Sequence, residues 1–279
     1  MVDEFHIALP KTEQELESFV MKICQNSKPQ LVLRDFYSAK YLPLARCFQA
    51  LNQRETDFCL EELEIDARLT DEDMKDMFLF LGYQKIRSLK VSSVEVGLHS
   101  FSSFSSFSSF LSKFDGLEKL CLQGEKFPVI PPMSHLRHLV LSGFVLLYSS
   151  FGEDRMVDLC NLVSINRLEN LELGHFTFDT PKFVSLIDTI NDSTSLKKLC
   201  IHNSKFSSNN SMTLTHMIKT NTSLEDLSLS FNLFSRSAIE AIIDAFEHND
   251  TIFSFDFYMD SQSDDDFAST RFKHVMKKN

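Results

Sequence analysis

LEDLSLSFNLF, residues 224–234, sets Leu224, Leu227, Leu229 and Phe234 at the apolar places of a short strand and its turn, with Asn232 between them. The alternation of Leu227 and Leu229 with Ser228 and Ser230 reads as a strand with one buried side. The same apolar-x-x-apolar-x-apolar window starts at 168, 196 and 252 as well, a constant step of 28. Four further windows lie upstream: Leu60/Leu63/Ile65, Ile86/Leu89/Val91, Leu117/Leu120/Leu122 and Leu136/Leu139/Leu141. A fixed period of this length marks a solenoid, in which each unit buries its apolar side against its neighbours.

Helix-period patterns, apolar at i, i+3, i+4 and i+7, fill the intervals. Leu16/Phe19/Val20/Ile23 and Leu44/Cys47/Phe48/Leu51 precede the first full window. Met74/Met77/Phe78/Leu81, Phe107/Phe110/Leu111/Phe114, Met156/Leu159/Cys160/Val163, Phe183/Leu186/Ile187/Ile190, Ser211/Leu214/Thr215/Ile218 and Ile239/Ile242/Ile243/Phe246 follow later ones. Thr70 before Asp71 to Asp73, Thr180 before Pro181, and Ser237 with Glu240 are the expected helix starts. Leu31 and Leu33 extend the windows backwards, so residues 1–35 are expected to form an N-terminal cap repeat, with repeats over 36–259 and a C-terminal cap over 260–279 in one domain, 1–279. The 19 residues from Leu117 to Leu136 are too few for a helix, and FPVIPPM suits an extended return.

These residues resemble the leucine-rich repeat family, LxxLxLxxNxL, and the 28-residue unit is similar to its ribonuclease-inhibitor subclass. Phe144, Phe176 and Ser204 stand where the family has Asn, and Phe127, Phe178, Phe206 and Phe234 recur at the last apolar place. The expected fold is α/β: a right-handed leucine-rich-repeat horseshoe with a parallel concave sheet and convex helices. The resemblance implies protein recognition, typically on the concave strand side.

Composition narrows the function classes. A net charge of −11 disfavours nucleic acid and anionic membranes as partners. No stretch approaches the roughly 20 apolar residues of a membrane-spanning helix, and MVDEFHIALPKTEQELE lacks the features of a signal peptide. Cys24, Cys47, Cys59, Cys121, Cys160 and Cys200 are scattered without CxxC pairs, which fits reduced core thiols in a cytoplasmic compartment. GxxxxGK, HExxH and GxSxG are absent from the sequence, so no catalytic residue, cofactor or metal is expected.

Four features invite a functional reading. The residue after each leading apolar place runs Glu61, Arg87, Glu118, Arg137, Glu169, Lys197, Glu225, alternating in sign and readable as a self-neutralising ladder. Residues 55–76 concentrate acids. Of these Glu62, Glu64 and Asp66 should share one strand side, either as a solvated run or as a dock for a basic protein segment. Cys200 and His202, with Glu172 one repeat earlier, have the types of a metal or nucleophile–base trio, a spacing that also arises by chance among nine histidines and six cysteines. FSSFSSFSSFLSKF, residues 101–114, reads as a packed helix, with phosphorylation of its serines or a membrane-inserting stripe as alternatives.

The resulting expectation is a monomeric, non-enzymatic scaffold that binds a protein partner through Glu62, Glu64, Asp66, Phe231, Phe253, Tyr258 and Met259. High Phe, Lys, Asn and Ser usage without Trp suggests an AT-rich genome, of a protist or an intracellular bacterium. In the bacterial case the protein would be a translocated effector, secreted into a host cell. The alternative is a regulator of enzymatic output: a ubiquitin-ligase substrate-recruiting subunit or a GTPase-activator-like protein.

Overall fold

The computed structural model describes residues 6–25, 30–34, 44–53, 60–66, 71–92, 104–114, 116–124, 127, 129–143, 149–150, 153–165, 167–204, 208–232 and 234–256. The chain packs as two compact units, Met1–Leu136 and Arg137–Asn279.

The first unit alternates strand and helix: β1 (His6–Ala8), α1 (Glu13–Cys24), β2 (Gln30–Arg34), α2 (Leu44–Asn52), β3 (Glu62–Asp66), α3 (Asp71–Leu81), β4 (Ser88–Ser92), α4 (Phe104–Leu111) and β5 (Lys119–Gln123). Sequential strands from β1 to β4 pair in parallel, and β4 pairs with β5 in the same way. The register aligns Leu31, Leu63, Leu89 and Leu120 in one row and Leu33, Ile65, Val91 and Leu122 in the next. All eight are buried. Each such side chain contributes about 1.5–3 kcal/mol on leaving water, so alignment of the rows rather than any single contact secures the stack.

The second unit holds β6 (His138–Ser142), β7 (Ser149–Ser150), α5 (Glu153–Ser164), β8 (Asn170–Gly174), β9 (Phe176–Thr177), α6 (Thr180–Asp192), β10 (Lys198–His202), α7 (Ser208–Thr220), β11 (Asp226–Ser228), α8 (Arg236–Phe246) and β12 (Ser254–Asp256). Its larger sheet runs β6–β8–β10–β11–β12, all parallel. Leu139, Leu171, Leu199, Leu227 and Phe255 are aligned across it. The helix stripes Phe183/Leu186/Ile187/Ile190 and Ile239/Ile242/Ile243/Phe246 are buried, and the Phe246 ring meets Phe255 edge-on at 4.4 Å. A separate pair, β7 with β9, had no counterpart in the sequence reading.

Asparagines close the turns from inside. Asn232 Oδ1 accepts from the Ser204 N–H at 2.7 Å, and its Nδ2 donates to the carbonyls of Ile201 and Leu229. One repeat earlier Ser204 does part of this work, its Oγ accepting from the Phe176 N–H at 3.3 Å. His175, Asn203 and Phe231, each just before this position, share a left-handed backbone with φ of 60°, 49° and 59°. A second set sits at the return from helix to strand. Asn221 Oδ1 accepts from the N–H groups of Ser223 and Leu224, and Asn249 Oδ1 from those of Thr251 and Ile252. Asn249 Nδ2 also reaches back to the Ile218 and Asn221 carbonyls. Buried backbone groups need partners, and these side chains supply them where no strand ladder can.

The region expected as an N-terminal cap repeat holds β1, α1 and β2. Two expected helix starts shift. The helix after 178 is capped by Asp179, not Thr180. Asp179 is extended (φ −70°, ψ 151°) and its carboxylate accepts from the Lys182 N–H at 3.0 Å while Lys182 Nζ lies 2.6 Å away. That double contact holds the Asp179 carboxyl below its ordinary range. Ser235, not Ser237, caps α8 by accepting from the Ala238 N–H, and Glu240 pairs with Arg236 instead of closing a capping box. Between β5 and β6 no helix intervenes among the described residues, as 19 residues required. Thr70, Cys59, Phe144, Phe206 and residues 257–279 lie outside the described residues.

The described C-terminal part of the Ser–Phe run packs into the core. Phe107 and Phe110 are buried, and Phe110 stacks on Phe78 of α3 with ring centroids 3.9 Å apart.

Two substitutions test these layers. Leu199→Asp puts a carboxylate into a fully buried row flanked by Leu171 and Leu227, a cost comparable with the whole stability of about 5–15 kcal/mol that domains possess; circular dichroism should show loss of cooperative folding of the second unit, and an unchanged melt would refute the register. Asn249→Ala should lower stability by at least about 2 kcal/mol, because it removes the partner of the Thr251 and Ile252 N–H groups and of the Ile218 carbonyl at once; urea denaturation measures it.

Candidate functional site

On the strand side away from the leucine rows, burial alternates with charge. β3 reads exposed, buried, half-buried, buried, half-buried, and β10 repeats that order. The ladder residues occupy the strand entrances. Ladder carbonyls accept two N–H groups of the next repeat: Arg87 and Ser88 on Glu61, Glu118 and Lys119 on Arg87, Glu169 and Asn170 on Arg137, and Lys197 and Lys198 on Glu169. Side-chain pairing follows, with Arg87–Glu118 at 3.8 Å, Lys197–Glu225 at 2.9 Å and a close Arg137–Glu169 pair. Exposed pairs of this kind are worth about 0–1 kcal/mol each, so they neutralise and align the entrances more than they stabilise them.

At the next step Glu225 O accepts from the N–H groups of Phe253 and Ser254. Phe253 therefore occupies the ladder place where the alternation would put a cation, and its side chain is 61% exposed. Phe231, 48% exposed, follows β11 on its far side in the left-handed turn. The two aromatics thus mark opposite ends of the strand layer. Tyr258 and Met259 lie outside the described residues.

The acidic stretch divides by role. Asp73 is buried, and its Oδ1 accepts from the Ala45 N–H at 2.6 Å, capping the start of α2. Asp76 accepts from Gln49 Nε2 at 2.8 Å. The same neighbourhood raises Cys47 to about 12, through burial first and Asp73 second, so this thiol stays protonated. Glu62, Glu64 and Asp66 do share one side of β3, and Glu64 pairs with Lys90 of β4 at 2.9 Å. The basic group that offsets their repulsion is thus partly built into the next strand. Glu62 remains exposed opposite Ser88.

The remaining cluster lies on β8 and β10. Cys200 is directly opposite Glu172, and His202 opposite Gly174. A Cβ at Gly174 would stand 2.4 Å from His202 Cε1, so the missing side chain leaves the space over which the imidazole lies. From there His202 Nε2 reaches Glu172 Oε1 at 3.2 Å, and one donor atom from each of Glu172, Cys200 and His202 falls within 4.8 Å of the others. His175 meets His202 edge-on at 5.5 Å, and burial together with His202 lowers its pKa. Burial raises Cys200 to about 11. The thiol is protonated at neutral pH, so the trio lacks the activated thiolate a cysteine nucleophile needs.

No family model matches the chain, and no curated protein matches it. Among solved structures it is similar to leiomodin-1 actin-binding site 2, at 9% identity and a TM-score of 0.39, over 46% of this chain and 76% of that one. It is also similar to a Bacteroides fragilis protein solved in a structural genomics programme, at 13% identity and a TM-score of 0.45, over 77% of this chain and 72% of that one. Likenesses this distant carry no argument; the aligned parallel strands within each unit fit a repeat solenoid. No helix among the described residues is long and apolar enough to cross a membrane.

Gly174→Ala should displace the His202 ring at a modest cost to stability, about 1 kcal/mol, because every atom the new Cβ would meet belongs to that one side chain and none to packed backbone. Imidazole resonances followed by NMR beside a thermal melt check both halves: a shifted His202 with a slightly lowered Tm is expected.

Proposed function

We propose that the chain is a non-catalytic leucine-rich-repeat protein of the ribonuclease-inhibitor subclass, right-handed in its crossovers, that binds a partner protein on its open strand side and at its β12 end. Exposed Phe253 carries this reading. A charge ladder that neutralises itself repeat by repeat ends on an aromatic side chain held in solvent. Exposed aromatics are the residues around which interface energy concentrates. Phe231 adds a second such group, on a left-handed backbone that a bulky residue adopts at a cost. Exposed Glu62 beside the Glu64–Lys90 pair favours a partner segment rich in Lys or Arg.

The same reading places the protein in a reducing cytoplasm, whether its own or a host's that it enters as an effector. Free thiols at Cys47, Cys160 and Cys200 support that setting.

Affinity capture from cytosol with the full chain identifies the partner. Phe253→Ala should then weaken binding by at least tenfold with Tm nearly unchanged, and Glu62→Ser should slow association in a salt-dependent way. Loss of stability without loss of binding in Phe253→Ala would turn the aromatic into a capping contact and remove the proposal.

A further inference from the structure

Sheet register brings three different donor types onto one patch of the second unit: the Glu172 carboxylate, the Cys200 thiol and the His202 imidazole. Their first two positions are direct cross-strand neighbours. The third reaches back diagonally because Gly174, opposite it, has no side chain to block the ring. We propose that Glu172, Cys200 and His202 form a three-ligand site for a divalent cation of the zinc type on the open strand side of the second unit.

Ligand geometry agrees with that assignment. Zinc bonds of about 2.0–2.3 Å at tetrahedral angles put ligand atoms roughly 3.3–3.8 Å apart. Glu172 Oε1 and His202 Nε2 already stand at 3.2 Å, and the whole trio closes from within 4.8 Å by side-chain torsions alone, since its backbones are fixed in one sheet. All three residues are half-buried, which leaves an approach for the ion from solvent. A mixed sulfur, nitrogen and oxygen set suits zinc rather than magnesium or calcium, which take oxygen. The fourth position falls to water or to a group of a ligand.

The surroundings supply the supports such sites use. Asn203 Nδ2 lies 3.4 Å from His202 Nδ1. With its amide turned so that Oδ1 accepts from Nδ1–H, the Nε2 lone pair faces Glu172. Ser228 of the next strand stands directly opposite Cys200 in the register, and Lys198, paired with Asp226 at 2.6 Å, flanks it. On binding, the Cys200 thiol loses its proton to solvent and the sulfur bonds the metal as thiolate; the release of this proton makes affinity fall on acidification.

Cobalt(II) is the probe, titrated into the metal-stripped full chain. One equivalent should bind, with visible bands of tetrahedral cobalt and a near-ultraviolet thiolate-to-cobalt band, and zinc should displace it. Cys200→Ser should abolish the near-ultraviolet band. His202→Gln, on the side of β10 away from the leucine rows, should weaken binding by more than the 10–100-fold typical of outer-shell changes. A wild-type chain without the thiolate band, or a band that survives unchanged in both variants and so belongs to other cysteines and histidines, would overturn the site.

Discussion

Lateral alignment of Leu171, Leu199 and Leu227 is the constraint on which the second unit depends, as alignment of Leu31, Leu63, Leu89 and Leu120 is in the first. Parallel strands slip only by moving a whole row of side chains to the wrong side of the sheet. A one-residue shift of β10 would put Lys198 and Cys200 into the core and expose Leu199 and Ile201. The identity of every outward position, whether in the ladder, the acidic row or the Glu172–Cys200–His202 cluster, follows from that single registration.

Stacking alone does not finish a repeat, because each strand must be entered and left through turns whose backbone groups have no ladder partner. Asn221, Asn232 and Asn249 meet this need from inside, each serving groups of its own repeat and of the one before. The repeats are thereby coupled through polar atoms as well as through leucine. Their cost of burial is offset because their donors and acceptors are matched at one site.

Strands were legible because LxxLxL combines period-two alternation with a fixed 28-residue step, and helices because apolar stripes such as Phe183/Leu186/Ile187/Ile190 repeat at helical spacing. Less local features were hidden. Asp179, Thr180, Ser235 and Ser237 can all cap, and only backbone torsions choose among them. Asp73 looked like one acid in a charged run, yet it caps a helix 28 residues away in sequence. Ser193, Asn221 and Asn249 do recur at the 28-residue step before a Ser or Thr and a leading Leu or Ile; their polarity kept them out of a reading built on apolar places. The Glu172–Cys200–His202 spacing was visible as a pattern, but the role of Gly174 in admitting the ring needed the paired strands.

Hydrogen exchange followed by NMR tests most directly whether register and asparagine turns act as one structure. The Leu199 and Ile201 amides lie in the sheet, whereas those of Ser204, Leu224 and Ile252 are held only by asparagine side chains. Cooperative repeats predict that both sets exchange slowly, in one protected block opened by the same unfolding of the second unit. Exchange of Ser204, Leu224 and Ile252 at unfolded-chain rates while Leu199 and Ile201 stay protected would contradict it.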